Sequence, residues 1–357
     1  HGLRPEVARF CDPLLASALG LGSSTCSALM ATLHLGLPGA ALASEADLEA
    51  MRDPGQYALT DWLVRNRIAC FPGGNSYVYR YFLKHVMPEA IEGGYGPGEV
   101  QCNPVRFDRL DIGGAPFRIR LGATVVEVRN QPGKGKSKGV RVVYEKEGRL
   151  HAVRAKSAIV CCGSWVSRHI VKDTPEPLHK ALSSFVHAPL VVANVALRNW
   201  KFMEKMGVTT ALYMGGDFGF SCNIRQPLNI EGYEAPFDPE KPIVLTFYAP
   251  LMESDLPAQA QGAALRWKLF SMPYAEIEDR IISQMNALFR RGGFKAERDV
   301  AGITINRWGH AYVVPQPGFM YPAGGGKSNS DIVREGFDRI FFAHSELYGV
   351  QAFIGAV

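Results

Sequence analysis

Two adjoining stretches constrain the fold more than any others. The segment "AIVCCG" at 158–163 is continuously apolar and closes on small residues. A strand of that kind is buried on both faces, and its small tip can come close to a ligand. Just before it, "KGVRVVYEKEGRLHAVRAK" at 138–156 alternates apolar and polar positions, as a half-exposed hairpin does. Together they predict a parallel sheet carrying an antiparallel hairpin, within a mixed α/β (α+β) chain.

The flanking sequence extends this reading. The stretches "RPEVARFCDPLLASAL", "TCSALMATLHLGL" and "DLEAMRDPGQYALTDWLVRNR", all within residues 4–67, carry apolar residues at helical spacing. At Gly73, Gly74 and Asn75 a turn leads into an amphipathic helix beginning near Ser76. A glycine pair there lets backbone N–H groups approach a phosphate or carbonyl, although a plain turn is its commoner use. A strand candidate, "FRIRLGATVVEVRN", precedes the hairpin. From 185 to 310 the chain reads as a second unit, with "APLVVANVALRN", "TTALYMG", "FGFSCNIRQP" and "PIVLTFYAP" as strands of a mixed sheet. The helix "YAEIEDRIISQMNALFRRGG" and the strand "DVAGITINRWGHAYVVPQPG" follow. "FDRIFFAHSEL" at 337–347 reads as a buried strand, a small-residue turn and a helix. "GGGKS" at 324–328 has the end of a phosphate loop, but Tyr321 stands where its first glycine belongs, so it reads as a flexible turn.

Composition excludes several classes. The chain has 357 residues, 47% hydrophobic and 20% charged, enough for two domains and a large core without covalent staples. A net charge of +5 is mild, and the basic run at 130–139 reads as a solvated hairpin loop rather than a nucleic-acid surface. No apolar run approaches the roughly 18 residues of a membrane span. The seven cysteines show no CxxC spacing and read as buried free thiols, and the nine histidines are scattered, so no metal is expected. There is no signal-peptide pattern. A soluble protein, cytoplasmic or periplasmic, is expected. Both ends read as the interior of something longer, since the chain opens at His1 and closes on the uncharged "FIGAV".

In order along the chain, "RLGATVVEV", "SAIVCCG", "WGHAY" and "RIFFAHSEL" followed by "GAV" resemble segments of the FAD-dependent amine oxidoreductase superfamily. Within it, "LLASALGLGSS", "NVALRNWKF", "VLTFYAP" and "NRWGHAYVVPQPGF" look like bacterial spermidine dehydrogenases. The resemblance implies a Rossmann-like FAD-binding domain, incomplete at its N-terminus and interleaved with a mixed-sheet substrate domain. Its boundaries would be a helical substrate-side segment at 1–68, FAD-binding portions at 69–184 and 311–357, and the substrate domain at 185–310. The family's first strand, its G-x-G-x-x-G turn and the acidic residue that follows have no counterpart in the sequence. That unit would come from sequence preceding this chain or from a partner chain.

The resemblance also implies roles. The adenosine of FAD would lie against Val125 and Val126, the strand tip Cys162–Gly163 would face the cofactor, and Ser345 and Glu346 would meet the pyrophosphate and ribityl chain. Phe353 would stand where a helix N-terminus directs N–H groups at the flavin, whose reduced form carries negative charge. Trp308, His310 and Tyr312, alternate residues of one strand and hence expected on one face, would form the substrate wall. Aromatic walls desolvate an amine and lower its pKa. His344 would shuttle a proton. The implied reaction is hydride transfer from a polyamine-type amine to FAD with hydrolysis of the imine, oxygen or a cytochrome then taking the electrons. A scaffold or assembly subunit that has lost flavin, and a flavoenzyme acting on an apolar CH–CH bond, are the rival readings. Acidic residues lining the cleft, with Asp217 and Glu253 as candidates, would favour polyamines. Each role has a bland counterpart: Trp308 and Tyr312 as core, His310 as a hydrogen-bonded structural histidine, Glu346 as an exposed helix-start carboxylate, and Arg198 as an ion-paired sheet residue.

Overall fold

The fold is taken from a computed structural model, which describes residues 5–28, 74–133, 138–224, 229, 234, 236–253, 255–322 and 324–349. Helices of six residues or more and all strands are numbered in chain order. Helix α1 (Pro5–Leu19) is followed by α2 (Ser76–Val86), which starts where the Gly74–Asn75 turn predicts, and by α3 (Pro97–Cys102). The expected helices between 29 and 67, with Gly73 and Phe353, lie outside the described residues.

Strands β1 (Thr124–Gln131), β2 (Gly139–Lys146) and β3 (Arg149–Ala155) form an antiparallel sheet in that order. It stands as a sheet of its own, so the hairpin is packed beside a parallel pair rather than joined to it. That pair is β4 (Ala158–Val160) with β10 (Ile340–Phe342), in the register Ala158 to Ile340 and Val160 to Phe342. Between them run α4 (Ser164–Ile170) and α5 (Glu176–Ser183). A continuous core unites these parts: Val128, Val140, Val160, Leu178, Val333, Ile340 and Phe342 are all buried in it.

The second unit is a five-stranded sheet in the order β6-β7-β8-β5-β9. Its strands are β5 (His187–Leu197), β6 (Thr210–Leu212), β7 (Ser221–Ile224), β8 (Ile243–Pro250) and β9 (Val300–Val313). Every pairing in it is antiparallel, which corrects the expected mixed sheet. Strand β5 lies between β8 and β9 and is apolar almost throughout; its first five residues are all buried, and Val192, Asn194 and Ala196 beyond them are half-buried.

Helices α6 (Ala258–Ser271) and α7 (Tyr274–Phe289) cover one face. On α7, Ile277, Ile281, Met285 and Phe289 recur every four residues and are buried against Val195, Leu245 and Phe247. Each such side chain contributes about 1.5–3 kcal/mol relative to exposure. The sequence reading passes over α6, whose apolar residues lie all round: Leu265 and Leu269 are buried, while Trp267 and Phe270 are exposed. Helix α8 (Asn329–Arg334) is started by Ser328 in a capping box with Asp331, so "GGGKS" ends in a helix cap. After β5, the expected Arg198 ion pair is replaced by a main-chain bond from Arg198 to the carbonyl of Asp299, and the carboxylate of Asp299 pairs with Arg298.

A third core joins the units. Leu15 and Leu19 of α1 pack with Val186, Ala188, Leu265 and Val314, at the start of β5 and the end of β9. Among the described cysteines, Cys26 and Cys222 are buried, and burial pushes their thiols up to about 11 and about 12. Cys102 and Cys161 are exposed, contrary to the expectation of buried thiols throughout. No helix among the described residues is long and apolar enough to cross a membrane.

Candidate functional site

The carboxyl ends of β4 and β10 lie side by side, the N–H of Ala343 donating to the carbonyl of Val160 at 3.1 Å. In open α/β sheets ligands gather at such strand ends. Beyond β4 the chain runs through Cys162 and Gly163 into α4 at Ser164. Beyond β10 it runs through His344 into a short turn, Ser345–Tyr348, that carries Glu346.

Glu346 is 4% exposed, not a surface carboxylate at a helix start. Its Oε1 accepts from the backbone N–H of Ser164 at 2.5 Å and its Oε2 from the Ser164 hydroxyl at 3.2 Å. The amide of Ser164 is one of the unsatisfied donors that open α4, and the helix dipole favours a negative charge there. The same Oε2 lies 2.6 Å from Nε2 of His187, itself buried at the head of β5. The backbone N–H of Glu346 donates to His344 Nδ1 at 3.3 Å. One carboxylate thus ties the parallel pair to the five-stranded sheet.

Helix α6 braces the sheet side. A Cβ on Gly262 would stand 2.5 Å from the carbonyl oxygen of His187, so only glycine lets the helix come this close. One turn on, Arg266 donates from Nη1 to that carbonyl at 2.9 Å.

Trp165 fills the middle. Its ring lies flat on His310, with centroids 4.5 Å apart and planes within 8°, and edge-on to His187 at 4.5 Å and His344 at 6.1 Å. His310 reaches it because β9 is irregular: Tyr312 faces Ala188 and Trp308 faces Leu190, leaving 309–311 opposite Pro189 alone. Proline has no N–H for the ladder, and the bulge re-aims the side chains there. The expected strict alternation of Trp308, His310 and Tyr312 is broken for this reason. Trp308 is 56% exposed, and Tyr312 packs beside Gly20 at the end of α1. Burial, and then the charges of Arg266, His187 and Arg168, push the pKa of His310 down to about 4, with Glu346 opposing. At neutral pH the ring is uncharged, and the same depression makes it a weak base.

Beside this cluster lies a cavity of about 240 Å³. Arg168, Arg266, His310, Ser164, Ser183 and Gln259 are among its walls. A second cavity, of about 220 Å³, lies between α6, α7 and the sheet, and its walls include Asp217, Lys268 and Arg280.

Of the residues singled out by sequence, Gly163, His344, Glu346 and His310 come together. Cys162 adjoins them, its carbonyl accepting from the Ser167 hydroxyl at 2.9 Å, and Ser345 stands at the turn. Gly74 and Asn75 open α2 with nothing within 4 Å of the glycine's missing Cβ. Val125 and Val126 lie on β1, 37% and 40% exposed, and Val126 is bulged out of the ladder with β2. Sequence reading missed His187, Trp165, Ser164, Arg168 and Arg266. A polar residue heading the apolar run "HAPLVV", and a tryptophan just past a strand tip, were the available signals.

The residues present do not fit FAD as they stand. The exposed, bulged backbone at Val126 would suit an adenosine end, but the ring end is taken. A Cβ on Gly163 would fall 1.9 Å from the Trp165 ring, so the flat space over the strand tip holds the chain's own indole. Both Glu346 oxygens are committed to Ser164 and His187.

No family model and no curated protein matches the sequence. Among solved structures, the chain is similar to cyclohexylamine oxidase from Brevibacterium oxydans, at 13% identity and a TM-score of 0.44, over 65% of this chain and 45% of that one. It is also similar to putrescine oxidase with putrescine bound, at 14% identity and a TM-score of 0.45, over 66% of this chain and 45% of that one. The chain spans less than half the length of both.

Proposed function

We propose that the chain serves a flavin-dependent amine oxidoreductase, acting on a polyamine or related amine. One observation carries the reading: the carboxyl ends of a parallel strand pair are joined to an antiparallel sheet through Glu346 and His187, with an aromatic ring and an uncharged imidazole at the joint. In this reading FAD supplies the redox chemistry, and the G-x-G-x-x-G unit missing from the sequence is supplied in cis or by a partner chain. The chain's own residues would exclude water and orient the amine against Trp165 and the uncharged His310 ring. The parts at 69–184 and 311–357 would serve the cofactor and 185–310 the substrate.

The indole over Gly163 favours a second reading, that of a non-catalytic scaffold that has lost flavin. The two part company in one experiment. The chain and its Trp165→Ala variant are mixed with FAD, passed through gel filtration and examined for flavin absorbance, and the coloured fraction is then given an amine without oxygen. Trp165→Ala is expected to carry more flavin than the parent, and that flavin to bleach with amine. Two proteins equally without colour would count for the scaffold instead.

A further inference from the structure

The cavity beside Trp165 draws one arginine from α4, Arg168, and one from α6, Arg266. Among the described residues neither guanidinium pairs with a carboxylate. Nε of Arg168 donates to Nε2 of His169 at 3.1 Å, and Nη1 of Arg266 donates to the His187 carbonyl at 2.9 Å. A guanidinium carries five N–H donors, so each has donors to spare. The two cations also act on each other, burial and the charge of Arg168 both lowering the pKa of Arg266. Both are half-buried, and like charges so placed repel until an anion joins them.

We infer that this cavity binds an oxyanion, the carboxylate or phosphate group of a small molecule. The flat guanidinium fork matches two oxygens of such a group, and the hydroxyl of Ser183 adds a donor, that of Ser164 being given to Glu346. The space is below the roughly 300–1,000 Å³ of sites for drug-sized ligands, so the ligand is small. The inference stands apart from the flavin reading. Where both hold, the substrate amine also carries an acidic group, and a bare polyammonium such as spermidine is repelled.

Calorimetric titration of the chain at fixed ionic strength and neutral pH, with inorganic phosphate, succinate and spermidine in separate arms, tests this without any flavin. Saturable binding of phosphate or succinate is expected, the stronger arm distinguishing the two anion chemistries, with no binding of spermidine. Arg168→Gln should weaken the anion by about tenfold or more, and Arg168→Lys, which keeps the charge and loses the fork, should fall between. Arg266 also holds a backbone carbonyl, so a second readout avoids replacing it. NMR titration of the His310 ring should show its pKa rising when the anion is bound, because Arg266, His187 and Arg168 are the charges that depress it and Glu346 the one that opposes them. The inference is overturned if neither anion binds, if Arg168→Gln binds as well as the parent, if the His310 titration does not move, or if spermidine binds more tightly than both anions.

Discussion

Glu346 shows how much a single side chain can commit. Both of its oxygens are used inside the protein, one by the first amide of α4 and the other by the Ser164 hydroxyl and His187. Glu346→Gln would put an amide NH2, a donor, where Oε2 accepts from the Ser164 hydroxyl and faces His187. The variant should lose about 1.5–3 kcal/mol of unfolding free energy, seen as a lower urea midpoint at unchanged slope. At this scale the sequence was partly legible. Glu346, His344, His310 and Gly163 could be singled out from strand tips and from a resemblance. His187 and Arg266 could not, because their importance depends on which strand and helix stand opposite, and no local pattern carries that.

At the scale of elements, β4, β5, β8 and α7 were readable because one period dominated each: continuous apolar runs in the strands and a four-residue recurrence in α7. The burial expected on both faces of β4 and β10 was not found: Ile159 is 66% exposed and Phe341 42%, so the pair is covered on one face only. Helix α6 was not, since Trp267 and Phe270 are apolar yet face outward and blur its buried face. The bulge in β9 was also hidden, because its cause, Pro189, sits on the neighbouring strand. The seat of α6 on β5 is testable. Gly262→Ala would place a methyl 2.5 Å from the His187 carbonyl oxygen and should destabilise by about 1–3 kcal/mol. Gly302→Ala on β9, where an added Cβ meets nothing within 4 Å, is the matched control and should leave the denaturation midpoint nearly unchanged.

For the whole molecule, pH offers a probe of how the units are held together. His310 has an ordinary pKa of 6.5 and a folded value of about 4. Between those values the unfolded chain binds a proton that the folded chain does not, so stability rises with pH there. The contribution of His310 should be fully present above about pH 6.5 and be lost as pH falls toward 4. Urea midpoints measured against pH should therefore slope over that window in the parent and less so in His310→Asn. The division into a mixed unit and a β-rich unit was legible from the change of texture near 185. The wholly antiparallel character of the larger sheet was not, since strand direction follows from connections and not from side-chain pattern.

The parallel pair has a temporal consequence. Ala158 of β4 meets its partner Ile340 only roughly 180 residues later in the chain. A growing polypeptide therefore carries "AIV" with an open edge while almost the entire β-rich unit is made, and closure of so long a loop is slow. Docking of β10 is expected to be a late step in refolding.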